Sequence, residues 1–495
     1  MAPVVETFYC SVRAGLAAQP AVSDSRQPCE MELEGSSLVL GIDVGTSSVK
    51  AVLLEPDARE VLHQETRDTR AGLESECGAQ GKEQDVCQII RALNDCLAAL
   101  PRERLRKVSR IGVSGQMHGV LFWRTSQACH WINSENLRVF EPKEVSRLVT
   151  WEDGRCTTDF LSSLPQPQSH LNLASGFGCT SVFWYLKHRP EVLQQYDAAG
   201  TIQDYVVSML CGLQKPLMSV QNAASWGYFN TRTKTWNTDI LGDFGFPLHL
   251  LPNVLDAGCL AGKTSYEWCG IPQGTEVGVA LGDFQCSVYS SLTESTDAVL
   301  NISTSAQLTF CMPEGFQPED HPSPAEAVTY FPYFKDRYLA VAASLNGGNV
   351  FASFVTTLAQ WTAELGLEIS DSDIYSRVIN AALSVHDTHL TISPTLFGER
   401  HAPDSRASVS SLTPANLSLG HVTRALCRGI IENIYSMLPS HRLKESGIQQ
   451  IVGSGGALAR NAILKQEVER VFPFPVVYGK DVDSAVGAAM VMVEQ

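Results

Sequence analysis

The segment from Gly41 to Lys50 contains residue types that bind phosphate, in the order Gly-Ile-Asp-Val-Gly-Thr-Ser-Ser-Val-Lys. A buried-strand pattern leads into it and a second strand pattern follows, which predicts a hairpin with its turn at Thr46 and Ser47. The hydroxyls of this turn, including that of Ser48, and its N–H groups can donate to phosphate oxygens. A Walker loop would instead run from a strand into a helix.

Asp43 lies among apolar residues of the first strand of this hairpin. A buried carboxylate is costly without a cation or hydrogen-bond donors, and the water shell of Mg²⁺ would supply both. A Gly-Thr hairpin that binds no ligand, with the Asp43 side chain hydrogen-bonded to nearby groups of the protein, would explain the same residues. The segment alone leaves both interpretations open.

Asp283 follows a predicted strand, Val277 to Leu281, and precedes a helix predicted to open at Phe284. Ligands of α/β sheets bind at this kind of strand end. A carboxylate there could accept a hydroxyl proton during phosphoryl transfer. Asp is also a favoured helix N-cap, and taken alone the cap is the simpler explanation.

A glycine-rich turn, Gly453 to Ala457, joins a predicted strand to a helix predicted from Leu458 towards Phe472. Glycines before a helix N-terminus let a ligand lie against exposed N–H groups. Such turns are common, so this one is informative only in combination with the other segments.

Two further clusters, Ser114 to Gly119 and Thr150 to Arg155, combine Gln, His, Asp and Arg with Met and Trp. These polar groups can bind a polyol, and Trp can pack on a sugar face. Either cluster could equally be a structural loop whose polar groups bond within the protein.

Strand and helix patterns alternate along the chain, with a helical period from Val86 to Leu100, which favours an α/β fold. Residues 298–310 repeat the strand, Ser/Thr turn and strand of residues 38–50. The repeat indicates two related halves that divide near residue 290.

Composition narrows the range of partners. The 495 residues carry a formal net charge of -16 and 44% hydrophobic residues, so we expect neither nucleic acid nor a membrane as partner. Residues 1–36 have neither the apolar core of a signal peptide nor the acid-poor composition of a mitochondrial presequence. They are predicted to be a disordered tail, and the protein is expected to be cytoplasmic with reduced cysteines.

Together and in this order, the segments resemble the FGGY family of carbohydrate kinases over residues 38–493. Residues 41–50 are similar to the family's first phosphate motif and 300–308 to its second, although Ser303 stands where the family often has Gly. Residues 453–461 are similar to its adenosine motif, and Gly282-Asp283 contains its catalytic Asp. The resemblance implies two actin-like (ribonuclease H-like) domains that flank a cleft, residues 37–290 for sugar and 291–495 for nucleotide.

The implied reaction is phosphorylation of a ketose by ATP with Mg²⁺. The motifs at 150–156, 300–305, 344–349 and 398–401 resemble those of family members that act on sedoheptulose. The resemblance therefore implies sedoheptulose as substrate, giving the 7-phosphate of the pentose phosphate pathway, with xylulose or ribulose as alternatives. A non-catalytic, nucleotide-gated actin-like protein is the alternative of another class. The chain is expected to be a monomer or homodimer.

The resemblance also assigns individual residues. It implies Asp283 as the base and Asp43 as the residue that positions Mg²⁺. For the nucleotide it implies Thr46, Ser47, Ser48, Thr304, Ser305, Gly347, Gly348, Gly455, Gly456 and Asn461. For the sugar it implies Met117, His118, Asp153 and Asp204.

Overall fold

The computed structural model describes residues 37–134, 137–292, 294–320, 323, 326–478 and 483–494. The predicted disordered tail, residues 1–36, lies outside the described residues. Residues 37–495 form one compact unit, and it is built on two large β-sheets.

The part of the chain that precedes residue 292 contains eighteen named strands and nine α-helices among its described residues. They are β1 (Leu38–Val44), β2 (Ser48–Glu55), β3 (Glu60–Asp68), β4 (Gly72–Leu73), β5 (Glu83–Gln84), α1 (Val86–Ala98), α2 (Arg102–Leu105), β6 (Val108–Gly115), β7 (Leu121–Trp123), β8 (Cys129–Ser134), β9 (Leu137–Pro142), β10 (Leu148–Val149), α3 (Thr158–Ser162), α4 (Gly178–His188), α5 (Pro190–Leu193), β11 (Ala198–Gly200), α6 (Ile202–Cys211), β12 (Leu217–Ser219), α7 (Val220–Trp226), β13 (Phe229–Asn230), β14 (Thr235–Trp236), α8 (Thr238–Asp243), β15 (Asn253–Leu255), β16 (Leu260–Lys263), β17 (Glu276–Gly278), β18 (Leu281–Gly282) and α9 (Asp283–Ser291).

The later part adds the second sheet and its helices. Its described elements are β19 (Asp297–Ile302), β20 (Ala306–Cys311), β21 (Val328–Pro332), β22 (Tyr338–Ser344), α10 (Gly348–Glu364), α11 (Asp371–Leu383), β23 (Thr391–Ser393), β24 (Ser408–Ser410), α12 (Leu419–Met437), α13 (Ser440–Glu445), β25 (Gln450–Ser454), α14 (Gly456–Arg460), α15 (Ala462–Val471), β26 (Val476–Tyr478) and α16 (Ser484–Val493).

The two large sheets repeat one arrangement. In the first, the order is β16-β17-β6-β1-β2-β3, with β18 also paired to β6; β1 runs antiparallel to β2 and parallel to β6. In the second, the order is β21-β22-β20-β19-β25-β26, and β19 runs antiparallel to β20 and parallel to β25. The predicted repeat of two hairpins is therefore confirmed, as is the α/β, actin-like architecture.

Each sheet has its own hydrophobic core, because its central strands are apolar on both faces. Apolar residues of α1 and α6 pack on one face of the first sheet, and those of α10, α11, α12 and α15 pack on the second. The other face of β1 and β2 is covered by α16 from the end of the chain. The division near residue 290 stays a prediction, and α16 lies against the earlier part.

Two predicted junctions differ in detail from the structure. The strand predicted from Val277 to Leu281 is two short strands, β17 and β18, separated at residues 279–280. The helix predicted from Leu458 is two helices, α14 and α15, because Asn461 leaves helical geometry and caps α15 through bonds from Ile463 N and Leu464 N, at 3.0 and 3.1 Å.

Helices of the described residues are too short or too polar to cross a membrane. The cysteines that the structure describes are all free thiols.

The glycines of β1 and β6 allow α16 to approach the sheet closely. A Cβ at Gly41 would lie 1.9 Å from the carbonyl oxygen of Ala485, and one at Gly112 would lie 2.1 Å from that of Ala488. Backbone atoms cannot rotate away as a side chain can, so any larger residue must displace the helix.

We therefore expect Gly41→Ala to destabilise the fold by about 1–3 kcal/mol or more, the usual cost of overpacking. Thermal unfolding measures it. Gly72→Ala is the matched control, since a Cβ there meets no atom within 4 Å. Equal midpoints for the two variants would contradict the tight packing of α16.

Candidate active site

Two carboxylates meet at one edge of the first sheet. In the parallel pairing of β1 with β6, Asp43 is opposite Ser114, whose hydroxyl donates to Asp43 Oδ1 at 3.1 Å. Asp283 directly follows β18, whose Leu281 also pairs with Ser114. The carboxyl ends of parallel strands share one edge, so this sheet brings Asp43 and Asp283 together.

Their shared environment disfavours negative charge. Burial and, second to it, the charge of Asp43 raise the pKa of Asp283 to about 8, against the bond from Phe284 N at 2.7 Å. Burial also raises the pKa of Asp43 to about 6, against the bond from Ser114. Both groups thus resist simultaneous ionisation in the free protein.

Asp283 is not the N-cap of its helix. It is the first residue of α9, and the capping position is Gly282, which has no side-chain cap. The simpler structural explanation of Asp283 is therefore wrong, and its carboxylate is available for another role.

Lys50 and Asp483 form an ion pair beside Asp43. Asp483 also caps α16 by accepting from Val486 N at 3.1 Å. Asp483 raises the pKa of Asp43 and Lys50 lowers it. The start of α16 thus contributes to the charge balance of the site.

The hairpin tip between β1 and β2 is fixed by three side-chain bonds. Gln84 Nε2 donates to the Thr46 carbonyl at 2.7 Å, and Gln116 Nε2 donates to Gln84 Oε1 at 3.0 Å. Thr69 Oγ1 donates to the Ser47 carbonyl at 3.2 Å. The bonds from Gln84 and Thr69 use backbone carbonyls of the tip rather than its hydroxyls. Ser47 is exposed, and Thr46 and Ser48 are half-buried.

The second hairpin tip is bonded to the start of α10 in the same way. Gly348 N donates to the Ser303 carbonyl at 2.8 Å, and Asn349 N donates to the Thr304 carbonyl at 3.0 Å. Thr304 is exposed and Ser305 half-buried. The phosphate contact of the hydroxyls at this tip stays a prediction.

The predicted nucleotide glycines differ in their surroundings. A Cβ at Gly347 would lie 2.4 Å from Ser305, one at Gly348 2.3 Å from the Ser303 carbonyl, and one at Gly455 2.3 Å from the Ile302 carbonyl. These three glycines are required by the packing of the protein itself. At Gly456 the nearest atom would be 3.7 Å away, which leaves room for a ligand.

Asn461 is buried and caps α15 with its side-chain oxygen. Its amide nitrogen faces Cys427 Sγ at 3.6 Å. These contacts are internal to the protein, and its nucleotide contact stays a prediction.

Met117 lies close to Asp283, and His118 follows it in the chain. A Cβ at Gly282 would lie 2.7 Å from Met117 Sδ, which places Met117 against the residue before Asp283. His118 has a φ of 71°, in the left-handed region that few non-glycine residues adopt. Its ring stacks on Phe177 with centroids 4.6 Å apart.

The imidazole of His118 is neutral with a defined tautomer. Nδ1 lies 2.9 Å from the Ser225 carbonyl, and a carbonyl oxygen can only accept, so Nδ1 carries the hydrogen. Burial lowers the pKa of His118 to about 4, and Arg400 contributes to the shift. Nε2 is thus left as an acceptor for a hydroxyl.

Asp153 is buried in an ion-pair network. It accepts from Lys82 N at 2.7 Å and from Arg155 Nε at 2.7 Å, and Arg155 also pairs with Glu83 at 2.6 Å. This network anchors the loop of residues 150–155. A sugar contact by Asp153 stays a prediction.

Asp204 is also buried, within the capping box of α6. It accepts from Thr201 N and Oγ1 at 2.9 and 2.7 Å. Burial raises the pKa of Asp204 to about 7, against the bonds from Thr201. Neither Asp204 nor Asp153 lines the cavity described next, and its sugar contact stays a prediction.

A cavity of about 900 Å³ lies between the two sheet-based halves. The earlier half contributes His118, Trp151 and Phe177 to its walls, and the later half contributes Tyr330, Arg400 and Arg442. Neither Asp43 nor Asp283 lines this cavity, so its connection to the carboxylates stays a prediction.

Trp151 is a site residue that sequence analysis described only as a general sugar-packing type. It lines the cavity, and its Nε1 donates to Thr46 Oγ1 at 3.0 Å. A Trp two residues before a buried Asp was visible in the sequence. No local sequence pattern indicates its hydrogen bond to Thr46, which is 105 residues away.

Comparison with known proteins identifies the family to which this chain belongs. The model of the FGGY family of carbohydrate kinases, N-terminal domain, matches residues 38–289. Glycerol kinase of Plasmodium falciparum, solved with ADP, shares the fold with a TM-score of 0.73 at 17% identity, over 92% of this chain and 89% of that one. The chain belongs to the FGGY family of carbohydrate kinases.

Within that family the chain is similar to sedoheptulokinase. It is 60% identical over 464 residues to sedoheptulokinase of Mus musculus, covering 92% of this chain and 98% of that protein. It is 59% identical over 466 residues to sedoheptulokinase of Homo sapiens, with the same coverage.

Replacing Asp283 by Asn tests the site. We expect Asp283→Asn to lower kcat by about 10²–10⁴-fold, the usual contribution of a general base, while ATP and sugar still bind. Steady-state kinetics and calorimetry measure the two effects. Asp371→Asn is the matched control, because Asp371 is also the first residue of a helix but is exposed. Near-normal turnover by Asp283→Asn would remove Asp283 from the base role.

Proposed function

We propose that the protein transfers the γ-phosphoryl group of ATP to the terminal hydroxyl of sedoheptulose, giving ADP and sedoheptulose 7-phosphate. Family membership supports the reaction class. The similarity to two sedoheptulokinases along nearly their whole length supports the choice of sugar.

The observation that carries the proposal is the position of Asp283. Its carboxylate lies at a strand end beside Asp43, where burial raises its pKa to about 8. A carboxylate with a raised pKa is a stronger base than an ordinary one and can accept a proton near neutral pH. It is therefore suited to take the proton from an alcohol that attacks phosphorus.

In the proposed reaction, the sugar's terminal oxygen forms a bond to the γ-phosphorus of ATP. The bond from that phosphorus to the β–γ bridging oxygen breaks, and ADP leaves with the electron pair. The hydroxyl proton passes to Asp283 and then to solvent. Phosphoryl transfer of this kind depends mainly on positioning and on donors to the phosphate oxygens.

The two hairpin tips supply those donors. The hydroxyls of Thr46, Ser47 and Ser48 belong to the tip of the first sheet, and those of Thr304 and Ser305 to the tip of the second. Because their backbone carbonyls are bonded within the protein, the tips can bind phosphate without rearrangement, which favours the transition state. Gly456 offers space for the rest of the nucleotide.

The carboxylate pair fits Mg²⁺. Asp43 is a partly buried carboxylate beside Asp283, and burial raises the pKa of both groups; a carboxylate oxygen suits this ion. Bound there through Asp43, Mg²⁺ would balance the charge of the phosphates. A nearby divalent cation also favours ionised carboxylates, so Asp283 would be able to accept a proton.

For the sugar, His118 offers Nε2 as a hydroxyl acceptor, and Met117 and Trp151 offer apolar surface. Arg400 approaches from the opposite wall of the cavity. A ketose held between donors and acceptors of both halves would be aligned with Asp283, as proximity catalysis requires.

An ADP-release assay with Mg·ATP tests the proposal, with sedoheptulose, xylulose, ribulose and glycerol as acceptors. We expect kcat/KM for sedoheptulose to exceed that of each pentulose by about 10-fold or more, the range that small differences in substrate contacts produce. The Asp283→Asn protein, purified in parallel, controls for contaminating kinases. Preference for a pentulose would change the substrate, and no turnover with any polyol would overturn the kinase proposal.

A further inference from the structure

The hydrogen bond between Trp151 and Thr46 joins two parts of the site that would bind different substrates. Trp151 belongs to the wall of the sugar cavity, while Thr46 is at the tip of the first phosphate hairpin. The donor–acceptor distance is 3.0 Å. The residues are far apart in sequence, so the bond depends on the whole fold of the first half.

The bond has one possible direction. An indole N–H only donates, so Thr46 Oγ1 must accept. Accepting from the indole leaves the Thr46 hydroxyl with its own hydrogen to donate. Within the described residues, no protein acceptor is in hydrogen-bond reach of that hydrogen, so it is available for a phosphate oxygen.

The backbone of Thr46 is also restrained. Its carbonyl accepts from Gln84 Nε2 at 2.7 Å. The remaining freedom of the residue is the rotation of its side chain and hydroxyl, which the indole restricts.

Trp151 is itself held firmly although its ring is 43% exposed. A Cβ at Gly176, which has a φ of 82°, would lie 2.3 Å from the Trp151 carbonyl, so the loop at 176 packs directly on its backbone. On the other side, the buried Asp153–Arg155 pair anchors the same loop. The backbone that carries the exposed indole ring is therefore fixed in position.

We propose that Trp151 is a positioning residue for phosphoryl transfer, which orients the Thr46 hydroxyl towards the transferring group and links that orientation to occupation of the sugar cavity. The inference rests on the proposed kinase function and extends it. A sugar packed on the exposed indole face would hold the ring, and through it the Thr46 donor. Water in the cavity would hold the ring less firmly, which favours transfer to sugar over hydrolysis.

A double-mutant cycle tests this role. Trp151→Phe removes the N–H and keeps an aromatic face, and Thr46→Val removes the hydroxyl and keeps the side-chain shape. We expect Thr46→Val to lower kcat by about 10²-fold, as for loss of one transition-state donor, and Trp151→Phe by about 10-fold. The double variant should be within about 2-fold of Thr46→Val, because the two residues act through one hydrogen bond.

The KM for sugar should change little in Trp151→Phe, and Thr46→Ser should retain most of the activity. Trp361→Phe is the matched control, since Trp361 is 56% exposed on α10. Losses that multiply in the double variant, to about 10³-fold, would overturn the proposal, because Trp151 would then act independently of Thr46.

The same cycle, measured by calorimetry as affinity for Mg·ATP without sugar, separates this inference from the proposed function. If wild-type protein phosphorylates no sugar, the kinase proposal fails and the affinity cycle decides the role of Trp151. If the two single variants and the double variant all lose the same affinity for Mg·ATP, Trp151 and Thr46 act through their one hydrogen bond. Additive losses overturn it.

Discussion

The burial of two neighbouring carboxylates, Asp43 and Asp283, is the constraint on which the site depends. Burial raises the pKa of both groups, and the charge of Asp43 adds to the effect at Asp283. The free protein therefore maintains an arrangement that is unfavourable by itself and that a cation or a transferred proton relieves. Catalytic groups are commonly held in this way, at a cost in stability that the surrounding fold must offset.

The fold offsets that cost by rigid packing around the pair. The parallel strands β1, β6 and β18 place both carboxylates at one edge, and α16 packs against Gly41 and Gly112 so closely that no Cβ fits. Asp483 at the start of α16 then pairs with Lys50. Secondary structure from the end of the chain thus fixes the position of a site built near its beginning.

Local sequence patterns predicted the parts of the site that depend on local structure. The hairpin of residues 41–50, its repeat at 298–310 and the strand-end position of Asp283 are all present. Each follows from a run of apolar residues ended by Gly, Ser or Thr, which specifies strand and turn without long-range contacts.

Long-range side-chain contacts were not predictable in this way. Nothing near Asn461 indicates that it ends one helix and caps the next, or that a Cβ would clash at Gly348 and Gly455 but not at Gly456. The same limit applies to Trp151 and Thr46, and to the burial of Asp153 against Arg155. For Gly348, Gly455 and the Trp151–Thr46 bond, the partner comes from a distant segment, and a single sequence contains no signal for such a pairing.

The measurement that tests the carboxylate pair most directly is the pH dependence of unfolding, for wild type and Asp283→Asn in EDTA without nucleotide. The folded pKa of Asp283, about 8, exceeds its ordinary value of 3.8. The stability that protonated Asp283 contributes is therefore fully present below pH 3.8, and it is lost as the pH rises through about 8. The Asn variant has no such loss.

The account predicts that the variant's unfolding midpoint rises relative to wild type between pH 5 and pH 8, by about 1 °C for each kcal/mol of relieved destabilisation in a unit of this size. A difference between the two proteins that is constant or shrinks over this range would contradict it.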